Sequence, residues 1–148
     1  MILGVGTDIL HISRIQDSFA KFGNDFLNRV MSKEELGHYD FVGKEYNDFT
    51  DKNWAKVAKI FSIKEAVSKA IGTGIAKGVS FKDMTLLNDD FGKPFVKIDG
   101  KSLEVLKQSA ITKFKRFSLD DFGFEIEISI SDEKDLVQTF AIIDVFKK

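Results

Sequence analysis

Phe61-Ser62-Ile63-Lys64-Glu65-Ala66-Val67-Ser68-Lys69-Ala70-Ile71-Gly72-Thr73-Gly74 decides how this chain folds. It closes a helix read from Lys52 to Ile71. Stepped at about 100° per residue, Trp54, Val57, Ala58 and Phe61 fall on one apolar stripe. Ile60, Ile63, Val67, Ala70 and Ile71 form a second stripe. A helix that is apolar on two sides is covered on two sides, and this one is expected to be. Gly72 and Gly74 suit its end, because a glycine just past the last turn accepts a left-handed backbone.

Within the segment, Glu65 and Lys69 are i and i+4 neighbours and point the same way. They continue the Trp54 stripe instead of lying on the obvious solvent side. Two readings stand side by side. Such a pair usually supplies only about 0.2–0.5 kcal/mol of helix support. An acid and a base beside an apolar stripe can also line a cleft or an interface and carry chemistry.

Upstream, residues 2–9 read as a short strand ending at Asp8. A helix follows from about Ile12 to Phe22, with Ile12, Ile15, Phe19 and Phe22 at helical spacing. Phe26, Leu27, Val30 and Met31 suggest a second short helical piece. Ser32-Lys33-Glu34-Glu35 is a capping box that starts another helix, with Leu36 and Tyr39 on its apolar side. Phe41 to Asp51 has no clear period and reads as a loop or helix extension.

Downstream, Met84–Asn88 and Phe95–Ile98 read as strands joined by the Asp89-Asp90-Phe91-Gly92 turn. Lys101 to Lys107 reads as a short helix. Phe124 to Ile130 alternates strictly, as a half-buried strand does, and Thr139 to Phe146 is a final apolar strand. A run of helices followed by a run of strands favours α+β. No internal repeat, low-complexity segment or linker interrupts the chain.

The 148 residues fit one domain, 1–148, with a real core. Apolar content of 43% and charged content of 30% are ordinary for a globular protein. A net charge of −1 gives the whole molecule no electrostatic case for nucleic acid or an anionic membrane. Without cysteine, disulfide frameworks and thiolate zinc sites are excluded. The 15 phenylalanines point to a well-filled core or a subunit interface. The first ten residues are apolar but lack a basic n-region, and Asp8 interrupts them. No run of about 20 apolar residues spans a membrane. A cytoplasmic protein is the expectation.

Several other residues have a plain and a sharper reading. Asp8 could cap the helix that follows. It could instead join Glu65 as a magnesium ligand, since Mg²⁺ is commonly held by one or two carboxylates plus substrate phosphates. Gly72-Thr73-Gly74 could merely end a helix, or turn backbone N–H groups toward phosphate. Gly92-Lys93-Pro94 is a turn entering a strand, or a basic lip over an anionic ligand. Arg14 and Lys21 share a helix face with Asp17 between them: a mixed surface, or a docking site for an acidic partner. His11 and His38 have no base or metal partner by spacing.

Together these residues resemble the bacterial holo-acyl-carrier-protein synthases, small members of the 4′-phosphopantetheinyl transferase superfamily. Ile2-Leu3-Gly4-Val5-Gly6-Thr7-Asp8-Ile9 looks like the family's opening strand, and Arg14-Ile15 follows at the expected distance. Phe26 to Glu35 looks like its next block. Phe61 to Ile75 is the signature segment, and Ser80-Phe81 and Gly92-Lys93-Pro94 match in order.

The resemblance implies a long central helix packed on a mainly antiparallel sheet. It implies transfer of phosphopantetheine from coenzyme A to a serine of an acyl carrier protein, releasing adenosine 3′,5′-bisphosphate and supporting fatty acid biosynthesis. It implies a homotrimer with active sites at subunit interfaces. Asp8 and Glu65 match the magnesium ligands, and Lys69 the residue near the transferred phosphate. Lys64, Ser68, Gly72, Thr73, Gly74, Lys93 and Pro94 fall on or beside the coenzyme A site. Arg14 faces the acidic carrier helix, helped by Lys21 and Arg29.

Two positions depart from the family pattern. Ile60 stands where an Arg is usual before the signature Phe. Asp132 follows Ser129-Ile130-Ser131 where a His is usual at the coenzyme A site. These departures motivate an alternative, a non-catalytic module that binds the carrier protein or coenzyme A. A third reading is an Mg²⁺ phosphohydrolase built on Asp8 and Glu65.

Overall fold

The spacing of small residues on the first strand sets how the central helix lies. In this computed structural model, which describes residues 1–118 and 120–148, β1 is Ile2–His11 and the long helix α4 is Asp51–Ile71. (The helices before α4 are α1, Ile12–Phe22, α2, Asn24–Val30, and α3, Lys33–His38.) A Cβ on Gly4 would stand 1.9 Å from the Ala70 carbonyl oxygen, and one on Gly6 would stand 1.8 Å from that of Ala66. The two backbones therefore touch, and only glycine fits beneath the helix. Two strand residues advance about 6.7 Å, and four helix residues about 6.0 Å. The near match keeps Gly4 under Ala70, Gly6 under Ala66 and, one step on, Asp8 beside Ser62.

β1 is the edge of a three-stranded antiparallel sheet in the order β1–β5–β4, where β4 is Phe122–Glu133 and β5 is Leu136–Lys147. The inner face carries Val137, Thr139, Ala141, Ile143 and Val145, all buried under α4. The outer face is apolar and uncovered along β1 and β5: Val5 is 52% exposed, Ile9 60% and Phe140 38%. Both late strands run longer than the sequence suggests, because each supports the other residue for residue from Phe122–Lys147 to Glu133–Leu136.

The far side of α4 is covered by α1, α2, β2 (Met84–Asn88) and α5 (Gly100–Lys113). β2 pairs with β3 (Pro94–Ile98) as a separate antiparallel hairpin. The mixed α+β architecture, with a central helix on an antiparallel sheet, is as expected. The α5 helix extends six residues past the expected Lys107. Leu106 and Ala110 are buried there, and Ser109 Oγ donates to the Ile71 carbonyl at 3.0 Å, so docking onto α4 overrides a polar local sequence.

The aperiodic segment from Phe41 is a loop up to Thr50, and Asp51 opens α4. The loop contains a 3₁₀ turn at Tyr46–Asp48 and packs aromatic rings against α4. Phe49 stacks on Trp54 with centroids 4.4 Å apart, and Phe41 stacks on Phe49 at 5.4 Å. Among the described residues, no helix is long and apolar enough to cross a membrane.

Candidate active site

The strand–helix fit brings Asp8 against the face of α4 that carries Ser62, Glu65, Ala66 and Lys69. These lie at i, i+3, i+4 and i+7, one stripe of a helix. Asp8 is gripped at both oxygens. Ser62 Oγ donates to Oδ2 at 2.8 Å, and the Lys69 ammonium donates to Oδ1 at 3.1 Å. Lys69 also donates to the Thr7 carbonyl at 2.9 Å. The helix pair Glu65–Lys69 is thus not the ion pair formed: Lys69 reaches across to Asp8.

Glu65 is half-buried beside them. Burial pushes its carboxyl above the usual glutamate range, and the Asp8 carboxylate pushes the same way. Lys69 and Arg14 oppose this with their positive charges. Arg14, an exposed residue of α1, therefore lies close enough to act on Glu65. The two carboxylates lie near enough to repel one another, and their hard oxygens are the donor type that suits Mg²⁺ when substrate phosphates complete its shell. Among the described residues, no third carboxylate or histidine joins them. A depression of about 360 Å³ opens here, lined by Thr7, Asp8, Ile9, Lys69 and Gln138. It borders the uncovered apolar face of the sheet.

Other expected ligand-binding residues are placed differently. Lys64 is fully buried and faces away from this stripe. Its ammonium forms an ion pair with the buried Glu35 carboxylate and donates to the Val30 carbonyl at 2.9 Å. It is a core brace in this chain, with no exposed surface. Burial draws its amine below the ordinary lysine range, while Glu35 works against that. Ser68 is also buried, with Oγ donating to the Glu65 carbonyl at 2.7 Å.

The Gly72-Thr73-Gly74 turn closes α4, with Gly72 left-handed at φ 100°. The N–H groups of Gly72, Thr73 and Gly74 all reach the Ser68 carbonyl. In this conformation they cap a helix instead of pointing donors at a phosphate. Lys93 sits at the hairpin tip in an exposed ion pair with Glu127 of β4, 2.9 Å away, and Pro94 opens β3. Both belong to the opposite edge of the sheet from β1, so one copy of the chain does not bring them to Asp8.

On the neighbouring helices, Phe22 is 47% exposed instead of joining the core at its helical spacing. Lys21 and Arg29 hold their charges 5.1 and 5.6 Å from its ring centroid. The helix ends at Gly23, and the turn into α2 leaves Phe22 outside. Ile60 is fully buried in the core. Asp132 pairs with Lys59 at 3.1 Å, so its carboxylate has its own cation.

Sequence reasoning missed Ser62 and Thr139. Ser62 carried a readable signal, being three residues before Glu65 and seven before Lys69 on one stripe. Thr139 carried none, because only the strand register places it opposite Asp8.

A profile of the 4′-phosphopantetheinyl transferase superfamily matches residues 4–137. A holo-[acyl-carrier-protein] synthase of Orientia tsutsugamushi (strain Boryong) is 37% identical over 144 residues, 97% of both chains. The fold is similar to the crystal structure of holo-[acyl-carrier-protein] synthase from Neisseria meningitidis, with a TM-score of 0.76 and 33% identity over 97% of this chain and 99% of that one. It is also similar to a holo-(acyl-carrier-protein) synthase from Bacillus anthracis in complex with CoA (3′,5′-ADP), with a TM-score of 0.70 and 28% identity over 97% and 96% of the two chains. The strand that carries Asp8 and the helix that carries Glu65 and Lys69 both fall inside the matched span, and on these grounds the chain belongs to the 4′-phosphopantetheinyl transferase superfamily.

Proposed function

We propose that this protein transfers 4′-phosphopantetheine from coenzyme A to a serine hydroxyl of an apo acyl carrier protein, with adenosine 3′,5′-bisphosphate as the other product. The observation that carries this reading is the meeting of Asp8, Glu65 and Lys69 where β1 runs under α4. Family membership and the named relatives support the substrate pair.

Asp8 and Glu65 would hold Mg²⁺. Bound there, the ion would supply charge neutralisation for the substrate phosphates. Lys69 leaves Asp8 for the phosphate, where its ammonium stabilises charge building on the leaving bisphosphate. Glu65, or a water it holds, would take the serine proton. Arg14, exposed and close to Glu65, faces the acidic carrier helix, and the Lys21–Phe22–Arg29 cluster extends that surface.

The uncovered apolar face beside the site fits the expected homotrimer. A second copy over Val5, Ile9 and Phe140 would close the depression and could bring Lys93 and Pro94 to the coenzyme A from outside. Mass spectrometry of cognate apo carrier protein with coenzyme A and Mg²⁺ tests the reading. The carrier should gain one phosphopantetheine, and Glu65→Ala should abolish the gain with little loss of fold. Tight binding of carrier or coenzyme A without turnover would favour the non-catalytic module, and free phosphopantetheine released without a carrier the phosphohydrolase.

A further inference from the structure

Asp8 and Thr139 are direct cross-strand partners on β1 and β5, and both point under α4. Ser62 closes the triangle from the helix. Its Oγ lies 2.8 Å from Asp8 Oδ2 and 2.9 Å from Thr139 Oγ1, and Thr139 Oγ1 is 3.0 Å from the Ser62 carbonyl. Ser62 has no exposed surface, and Thr139 is 1% exposed. Among the described residues, the two hydroxyls bond each other, one carbonyl and Asp8. Burying them is costly unless every polar atom is bonded, and an apolar pair would fill a core equally well.

The two groups that hold Asp8 differ in kind. Lys69 is 48% exposed on a flexible stem, and under the proposed reaction it must leave for the phosphate. Ser62 is locked in the core and stays. A donated hydroxyl bond occupies one of the carboxylate's roughly four lone-pair sites, fixes the side-chain torsion and leaves Oδ1 facing outward. Partners of this kind orient metal-ligating groups, and their loss typically lowers metal affinity about 10- to 100-fold.

We propose that Ser62, backed by Thr139, is a positioning residue that aims Asp8 Oδ1 at the divalent cation. This rests on the reading of Asp8 as a metal ligand. Mn²⁺ is the probe, with free Mn²⁺ followed by electron paramagnetic resonance in the presence of adenosine 3′,5′-bisphosphate. Ser62→Ala should weaken Mn²⁺ binding about 10-fold, while the melting temperature changes little. The Mg²⁺ concentration for half-maximal transfer should rise by the same factor, with kcat largely restored at saturating Mg²⁺. Thr139→Val, which removes only the backing hydroxyl, should weaken Mn²⁺ less.

Unchanged Mn²⁺ affinity in folded Ser62→Ala would overturn the proposal, as would a lowered melting temperature with no change in affinity. If Ser62→Ala does not fold, Thr139→Val decides, and unchanged affinity there overturns it. A wild-type protein that binds no Mn²⁺ would remove the metal-ligand reading itself, which is a separate failure.

Discussion

Gly6 of β1 lies directly beneath the Ala66 carbonyl of α4, so close that a methyl group at Gly6 would stand 1.8 Å from that oxygen. Gly6→Ala must push strand and helix apart. We predict a loss of about 1–3 kcal/mol or more from overpacking, read by denaturant unfolding. Transfer activity should fall further than stability explains, because Asp8 is two residues along the displaced strand. Wild-type activity in a folded Gly6→Ala variant would show that the strand–helix contact does not place the site.

The Lys64–Glu35 pair leads to a second expectation. Glu35 also accepts from the N–H groups of Ser32 and Leu86 at 2.8 Å each, so one carboxylate ties α3, β2 and α4 together. Removing one partner of a buried pair typically costs about 3–5 kcal/mol, since the other charge is stranded. Lys64→Met should lose about that much. Adding Glu35→Gln should recover a large part, because Gln keeps an acceptor and drops the charge. A Lys64→Met variant of normal stability that binds coenzyme A poorly would return Lys64 to the ligand site.

Glu65 gives a pH dependence with a definite sign. Its folded carboxyl holds a proton more tightly than the unfolded one does. In metal-free protein, the contribution of Glu65 to stability is then fully present below the ordinary glutamate pKa and is lost as pH rises through the raised folded value. Glu65→Gln should remove that slope and melt higher than wild type at neutral pH in chelator by a few degrees, the two converging in acid. Melting curves that stay parallel across this range would contradict the burial and Asp8 repulsion described here.

Lys69 competes with any cation for Asp8 Oδ1. Lys69→Gln should bind Mn²⁺ up to about 5-fold more tightly, the equivalent of about 1 kcal/mol for a partly exposed ion pair. Transfer should nonetheless fall about 100-fold or more, as for loss of a donor to transition-state charge. Weaker Mn²⁺ binding in this variant would mean that Lys69 helps to seat the metal instead of occupying its place.

Much of this architecture was legible in the residues. The two stripes of α4 foretold a helix covered on two sides, and the Ser32–Glu35 capping box formed as written, with both reciprocal bonds. Local rules decide such features, so local sequence reveals them. Asp8, Glu65 and Lys69 came together, but by strand–helix contact between residues about 60 positions apart, which no periodicity announces. The buried position of Lys64 was not legible, because it stands beside Glu65 in sequence while the next 100° of rotation turns it into the core toward Glu35. The Phe41–Phe49 cluster was missed because aromatic stacking across a turn has no repeat to read.

The near-equal stride of β1 and α4 makes this active site intolerant of frame. One residue inserted between Gly6 and Asp8 would send the carboxylate to the opposite side of the sheet. One inserted between Ser62 and Glu65 would swing the rest of the helix by about 100°. The exposed tip at Val42 and Gly43, beyond the buried Phe41, is held by no such register and can absorb changes in length. Variation among working forms of this protein should therefore be found in loop length, while the two facing segments keep their count.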